Sequence, residues 1–199
     1  MKKAGGELAK VLAQHAEAVI DIVVDSPLVK AIPVVNYAVA LAKELGAVRD
    51  RLLMSKLEKF LQEPRLQRTL ESEAMRNKLI EDEYAEEIGE RLLLVIEKFS
   101  DLQKPVLLGR IFAAYLNDEL TRTAFFMLAH AIDVAYLGDL EYFIQVEGEP
   151  VHDDMLAVPR LANAGLFELY ADGSMGGGDL KYQTTPLGNS LYACLRQVD

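Results

Sequence analysis

The 199-residue chain has one cysteine, three histidines and no tryptophan. A single thiol, Cys194, excludes an internal disulfide framework and any zinc site built on several cysteines. Basic residues are also short: 21 Lys plus Arg stand against 31 Asp plus Glu, a net charge of −10. Long apolar runs are missing from the front of the chain. Residues 18–42 carry only Asp21, Asp25 and Lys30, yet their longest uncharged run, 31–42, contains Pro33 and Asn36. That falls well short of the roughly 20 apolar residues that cross a bilayer. No basic start leads into an apolar core and a small-residue cleavage site, so the expected setting is reducing and intracellular. What the chain does have is a 51% hydrophobic content with 26% charged residues, which excludes a disordered or collagen-like polymer.

The charge is unevenly spread. Residues 1–80 hold 13 basic and 10 acidic side chains, residues 81–138 hold 5 and 11, and residues 139–199 hold 3 and 10. A protein that grips nucleic acid by neutralising phosphates needs clustered Lys and Arg on one face. Only the first 80 residues approach that supply, and there the cations alternate with acids. The acidic remainder repels nucleic acid and anionic lipid alike, so a nucleic-acid partner is not expected.

Apolar spacing predicts a helix over residues 5–24, ended by Ser26-Pro27, and a long helix from Val34 to about Gln62. In the long helix Ala38, Leu41, Leu45, Val48 and Leu52 alternate at spacings of three and four. Leu53, Leu57, Phe60 and Leu61 then take over, and Pro64 ends the run. Residues 66–99 predict at least one more helix, with the acids of Glu81 to Glu87 marking a helix start. A further helix is expected from Ser100-Asp101 and Pro105 to Asn117-Asp118, and another from Thr121 through about Phe143. The character changes after Gly148-Glu149-Pro150, which places a domain boundary between 1–147 and 148–199.

The second part reads as a helix over 152–164, a strand at Leu166–Tyr170, a Gly-rich tip, a strand at Leu180–Thr184 and a last helix. Thr185 suits the N-cap of that last helix and Pro186 its first position. Leu161, Ala164, Gly165 and Leu166, followed by Thr185, Leu187 and Gly188, carry a likeness in phrasing and order. This segment resembles the second half of a winged-helix domain, over about residues 150–199. The expected fold is therefore mainly α: a multi-helix bundle followed by a small winged-helix-like module with a two-stranded β-hairpin. The resemblance implies that the helix before the wing would face DNA if the module bound it, and that Arg160 and Lys181 would be the contacts. Asp153 and Asp154 on the helix, with Asp172 and Asp179 beside the wing, oppose that role. A packing or protein-docking wing is the expectation. The segment from Ile32-Pro33-Val34-Val35 through Arg49-Asp50-Arg51-Leu52 to Phe60-Leu61 resembles small bacterial proteins, some encoded near mobile elements, which implies no residue-level chemistry.

Motifs for catalysis are weak. His15, His130 and His152 are far apart, and a metal site needs three or four converging ligands. His130 with Asp133 supplies two at most, and His152-Asp153-Asp154 is explained as an acidic helix start. The Gly-rich tip lacks the Gly-Lys-Ser/Thr ending of a phosphate loop, and no Gly-x-Ser-x-Gly elbow occurs. Cys194 lies on the apolar side of the last helix and reads as a core residue. No catalytic, cofactor-binding or metal residue is assigned. The expected function is a non-enzymatic bacterial binding or regulatory protein that docks other proteins and self-associates. The residues expected to carry docking are Leu41, Leu45, Val48 and Leu52, with Arg49 and Arg51 beside them. Two readings compete: a membrane-active effector of toxin or phage-exclusion type using the apolar front, and a winged-helix DNA regulator. The expected location is the cytoplasm, with contact at the inner membrane as the variant.

Overall fold

A computed structural model describes residues 48–81, 83–147, 156–171 and 180–196, together with Ser26 and Asn36. The expected helix at 5–24 and the stretch of the long helix that holds Leu41 and Leu45 lie outside the described residues. The architecture is mainly helical, with nine helices and one two-stranded antiparallel sheet among the described residues. The chain divides into two compact units, Met1–Val106 and Leu107–Asp199.

The first unit contains α1 (Val48–Leu61), α2 (Pro64–Glu71), α3 (Glu73–Glu81) and α4 (Ala85–Lys98), and the start of α5 (Lys104–Leu116). Helix α1 packs against α4, α2 against α3, and α3 against α4. Their shared core is Met54, Leu57, Phe60 and Leu61 of α1, Leu66 and Leu70 of α2, Leu79 of α3, and Ile88, Leu92 and Ile96 of α4. The turn between α1 and α2 is set by local chemistry. Pro64 cannot continue a helix but is preorganised to begin one, and the buried Glu63 caps it by accepting from the Leu66 N–H at 2.8 Å. The stretch over 66–99, expected to hold at least one helix, holds three. The backbone of Ser72 is extended (ψ 122°), and Tyr84 precedes the start of α4. Apolar periodicity does not mark either break, because short helices around one core keep the same inward stripe.

The opposite end of α4 is tied to α1. Lys56 donates through Nζ to the Glu97 carbonyl at 2.8 Å, satisfying one of the acceptors that a helix C-terminus leaves open. Burial lowers the Lys56 pKa, and the nearby Asp101 carboxylate works against that shift. Asp101 itself accepts from the Gln103 and Lys104 N–H groups at 2.9 and 2.8 Å, capping α5.

The second unit continues along α5 into α6 (Arg122–Val134), α7 (Leu137–Gln145), α8 (Ala157–Asn163), β1 (Phe167–Ala171), β2 (Leu180–Thr184) and α9 (Pro186–Arg196). Tyr115 of α5 stacks with Phe125 of α6 at a ring-centroid distance of 5.3 Å, and Phe112 meets Phe125 at a tilt, 5.5 Å away. Thr121 caps α6 by accepting from the Ala124 N–H at 3.1 Å. The helix expected from Thr121 to Phe143 is broken at Ala135, whose extended backbone (ψ 145°) turns α7 by 117° from α6. The inward stripe of Phe125, Leu128, Ile132, Leu140 and Phe143 keeps helical spacing straight through that break, so periodicity reads it as one element. The overlooked signal is Gly138-Asp139: a poor helix former beside an acid in the first turn of a new helix.

The C-terminal segment is knit together by its turn residues. Gly165 has a φ of +80°, a left-handed conformation that closes α8 and suits glycine. The Thr185 hydroxyl donates to the Gly165 carbonyl at 2.7 Å and accepts from the Gly188 N–H at 2.9 Å, so it caps α9 and ties it to the end of α8. The Thr185 N–H donates to the Leu166 carbonyl at 3.0 Å. A side chain at position 188 would collide with the Leu166 carbonyl and the Thr184 methyl, so α9 comes this close only because Gly188 has none. The expected Ala-Gly-Leu and Thr-Pro-Leu-Gly phrases are thus the two halves of one joint. The sheet pairs Phe167 with Thr184, Leu169 with Tyr182 and Ala171 with Leu180.

Candidate interaction surfaces

Helix α1 buries one apolar side and carries an exposed leucine away from it. Met54, Leu57, Phe60 and Leu61 are buried, whereas Leu52 is 54% exposed. At 3.6 residues per turn, Met54 stands about 200° round the helix from Leu52. Leu52 therefore lies away from the side that fills the core of the first unit. Of the other residues expected to carry docking, Val48, Arg49 and Arg51 lie in the helical backbone of α1, with their side chains outside the described set, and Leu41 and Leu45 lie outside it altogether.

Arg160 is fastened inside its own unit. Its Nε and Nη2 donate to the two Asp139 carboxylate oxygens, both at 2.6 Å, in a forked pair that joins α8 to α7. The Asp139 side chain is 4% exposed and that of Arg160 is 49% exposed. A carboxylate this deep is satisfied only because the guanidinium reaches it. Lys181 sits on β2 opposite Tyr170. The two residues expected as DNA contacts thus lie on separate elements of one module, the first of them in a tight ion pair.

The hairpin is apolar on one face. Strand alternation places Phe167, Leu169 and Ala171 on the same side, with Thr184, Tyr182 and Leu180 across from them. At the root, Phe167 is buried and its ring lies 5.5 Å from that of Phe143, which in turn meets Tyr192 edge-on. Farther out the apolar side chains are uncovered: Leu169 is 51% exposed and Leu180 67%. The opposite face is polar, with Gln183 donating to Glu168 at 2.7 Å. Sequence reading missed this outer face and also Asp139. The first was signalled by the alternation of Leu169 with Ala171 and of Leu180 with Tyr182. The second had no local signal, because its partner lies 21 residues away.

The remaining chemistry-bearing residues are dispersed. His130 is exposed on α6, Cys194 is buried in α9, and His15 and His152 lie outside the described residues. Among the described residues, no group of three or more His, Cys, Asp or Glu side chains is placed to hold a metal. Glu86 and Glu87 of the acidic run fall in the first turn of α4, where Glu87 pairs with Arg91 at 2.8 Å. No single helix among the described residues is long and apolar enough to cross a membrane. The bent pair α6–α7 passes on length and composition, but its large residues Phe125, Leu128, Ile132, Leu140 and Phe143 are buried. No protein-family model, no curated protein and no solved structure matches the chain.

Proposed function

We propose that the chain is a non-enzymatic bacterial binding or regulatory protein that works by docking to other proteins and associates with itself. One observation carries the reading: α1 spends one side on the core of its unit and still presents Leu52 to solvent on another. By sequence, Leu52 is the last member of the line Leu41, Leu45, Val48 and Leu52, whose alternating spacing is that of a helix–helix seam. A line of this kind loses little by packing against the same line in a second copy, since an isologous contact repeats its own surface. Arg49 and Arg51 flank the seam in sequence and keep it soluble until it is covered.

Sedimentation velocity of the full chain and of Leu52→Asp tests the reading. The unchanged protein should sediment as a dimer or larger species at micromolar concentration. The variant should sediment as a folded monomer with an unaltered circular-dichroism spectrum, because Leu52 lies outside the buried stripe. A monomer in both cases would sink self-association through α1, and the same oligomer in both would assign it to another surface.

A further inference from the structure

The hairpin's outer face sets a separate problem. Leu169, Ala171 and Leu180 are exposed on one side of a sheet only two strands wide, and Tyr182 is half-buried beside them. Two strands alone are marginal in water, and an apolar strand face left open invites a covering element. The charge of the unit restricts what that element can be. Residues 107–199 hold 13 acidic and 5 basic side chains. Two of the five cations are turned to internal tasks: Arg160 is forked onto Asp139, and Arg110 donates to the Leu195 carbonyl at 3.2 Å. Asp172 and Asp179 adjoin the outer ends of the two strands in sequence.

We propose that the apolar face of the hairpin receives a basic, amphipathic polypeptide segment of a partner protein. Its apolar side chains would cover Leu169, Leu180 and Tyr182, and its cations would meet the acidic field of the unit. The inference rests on the reading that the chain works by protein docking, and adds to it the chemistry of a partner at a second surface. A second copy of this unit is disfavoured there, because it brings the same negative charge to the contact. Apolar contact supplies the hold, and the opposite charge selects the partner and speeds encounter.

The test uses the full chain and three synthetic strand-forming peptides, alternating Leu with Lys, Leu with Gln and Leu with Glu, followed by fluorescence anisotropy. The Leu/Lys peptide should bind most tightly and weaken at about 0.5 M salt, where charges are screened within a few ångströms. The Leu169→Asp/Leu180→Asp variant separates the two contributions. It adds negative charge, so a peptide held by charge alone would bind it more tightly, whereas one seated on the hairpin should lose about tenfold or more in affinity. Both positions are exposed, and an unchanged melting temperature confirms that the variant folds. If Leu/Lys and Leu/Gln peptides bind equally and both are lost in the variant, the docking face stands and its basic partner is refuted. If the variant binds Leu/Lys peptide as well as or better than the parent does, or if no peptide binds the parent, the inference fails. Self-association through α1 is decided separately by the sedimentation of Leu52→Asp.

Discussion

The α1–α4 helices and the C-terminal joint of α8, hairpin and α9 are held by different means. In the first, four helices share a core of Leu, Ile, Met and Phe, and their ends are tied by single polar contacts such as Lys56 on the Glu97 carbonyl. In the second, a few residues with fixed tasks decide the arrangement: Gly165 turns the chain, Thr185 bridges two elements and Gly188 makes room. A greasy core tolerates substitutions that keep volume and pattern, whereas a joint built on one missing side chain and one hydroxyl does not. The first kind of region leaves a choice of which helix face is free, and α1 uses that choice at Leu52.

The joint is most vulnerable at Gly188. Gly188→Ala should cost about 3 kcal/mol or unfold the joint, because the new methyl meets backbone that cannot move aside. The measurement is a thermal melt with amide exchange to locate the loss, and the α1–α4 helices should keep their protection. Asp139→Ala comes next, at about 2 kcal/mol. A buried pair broken on one side costs more than that in a closed interior, but here half of Arg160 reaches water and recovers part of its hydration. A urea midpoint read against the parent checks it, and no change would show that the fork contributes nothing. Thr185→Ala should cost about 1 kcal/mol, the usual value of a lost cap. Thr185→Ser, which keeps the hydroxyl, should stay close to the parent.

The smallest effect lies in the helical unit and depends on pH. Burial lowers the pKa of Lys56 below its ordinary 10.5, so between the lowered value and 10.5 the unfolded chain holds a proton that the folded chain has released. Stability from this group therefore rises as pH increases through that window. Asp101 limits the size of the effect. In Lys56→Met the rise should vanish, so the difference in urea midpoint between parent and variant should shift in favour of the parent as pH goes from neutral toward 11. A difference that is flat in pH would mean that the amine is solvated as well in the fold as outside it.

How much of this was legible in the sequence follows from the same contrast. The two strands and the joint beside them were readable almost residue by residue, since Gly165, Thr185 and Pro186 each have a narrow range of backbone tasks, while the Gly-rich tip lies outside the described residues. The mainly helical character was readable from spacing alone. Helix ends were not: Ser72 and Ala135 interrupt apolar patterns that continue unbroken on either side. The Asp139–Arg160 fork was hidden because each residue looks like an ordinary surface charge until α7 and α8 are brought together. The switch of stripe in α1, from the line ending at Leu52 to Leu57, Phe60 and Leu61, was visible as a change of phase. Its meaning, one side for the core and one left open, needed the burial of Met54 and the exposure of Leu52.

Amide hydrogen exchange of the full chain across a hundredfold range of protein concentration tests self-association through α1 residue by residue. Peptides covering residues 48–56 should gain protection as concentration rises, while the hairpin strands 167–171 and 180–184 should not change. Protection that rises in the hairpin and not in α1, or that is independent of concentration in both, would contradict it.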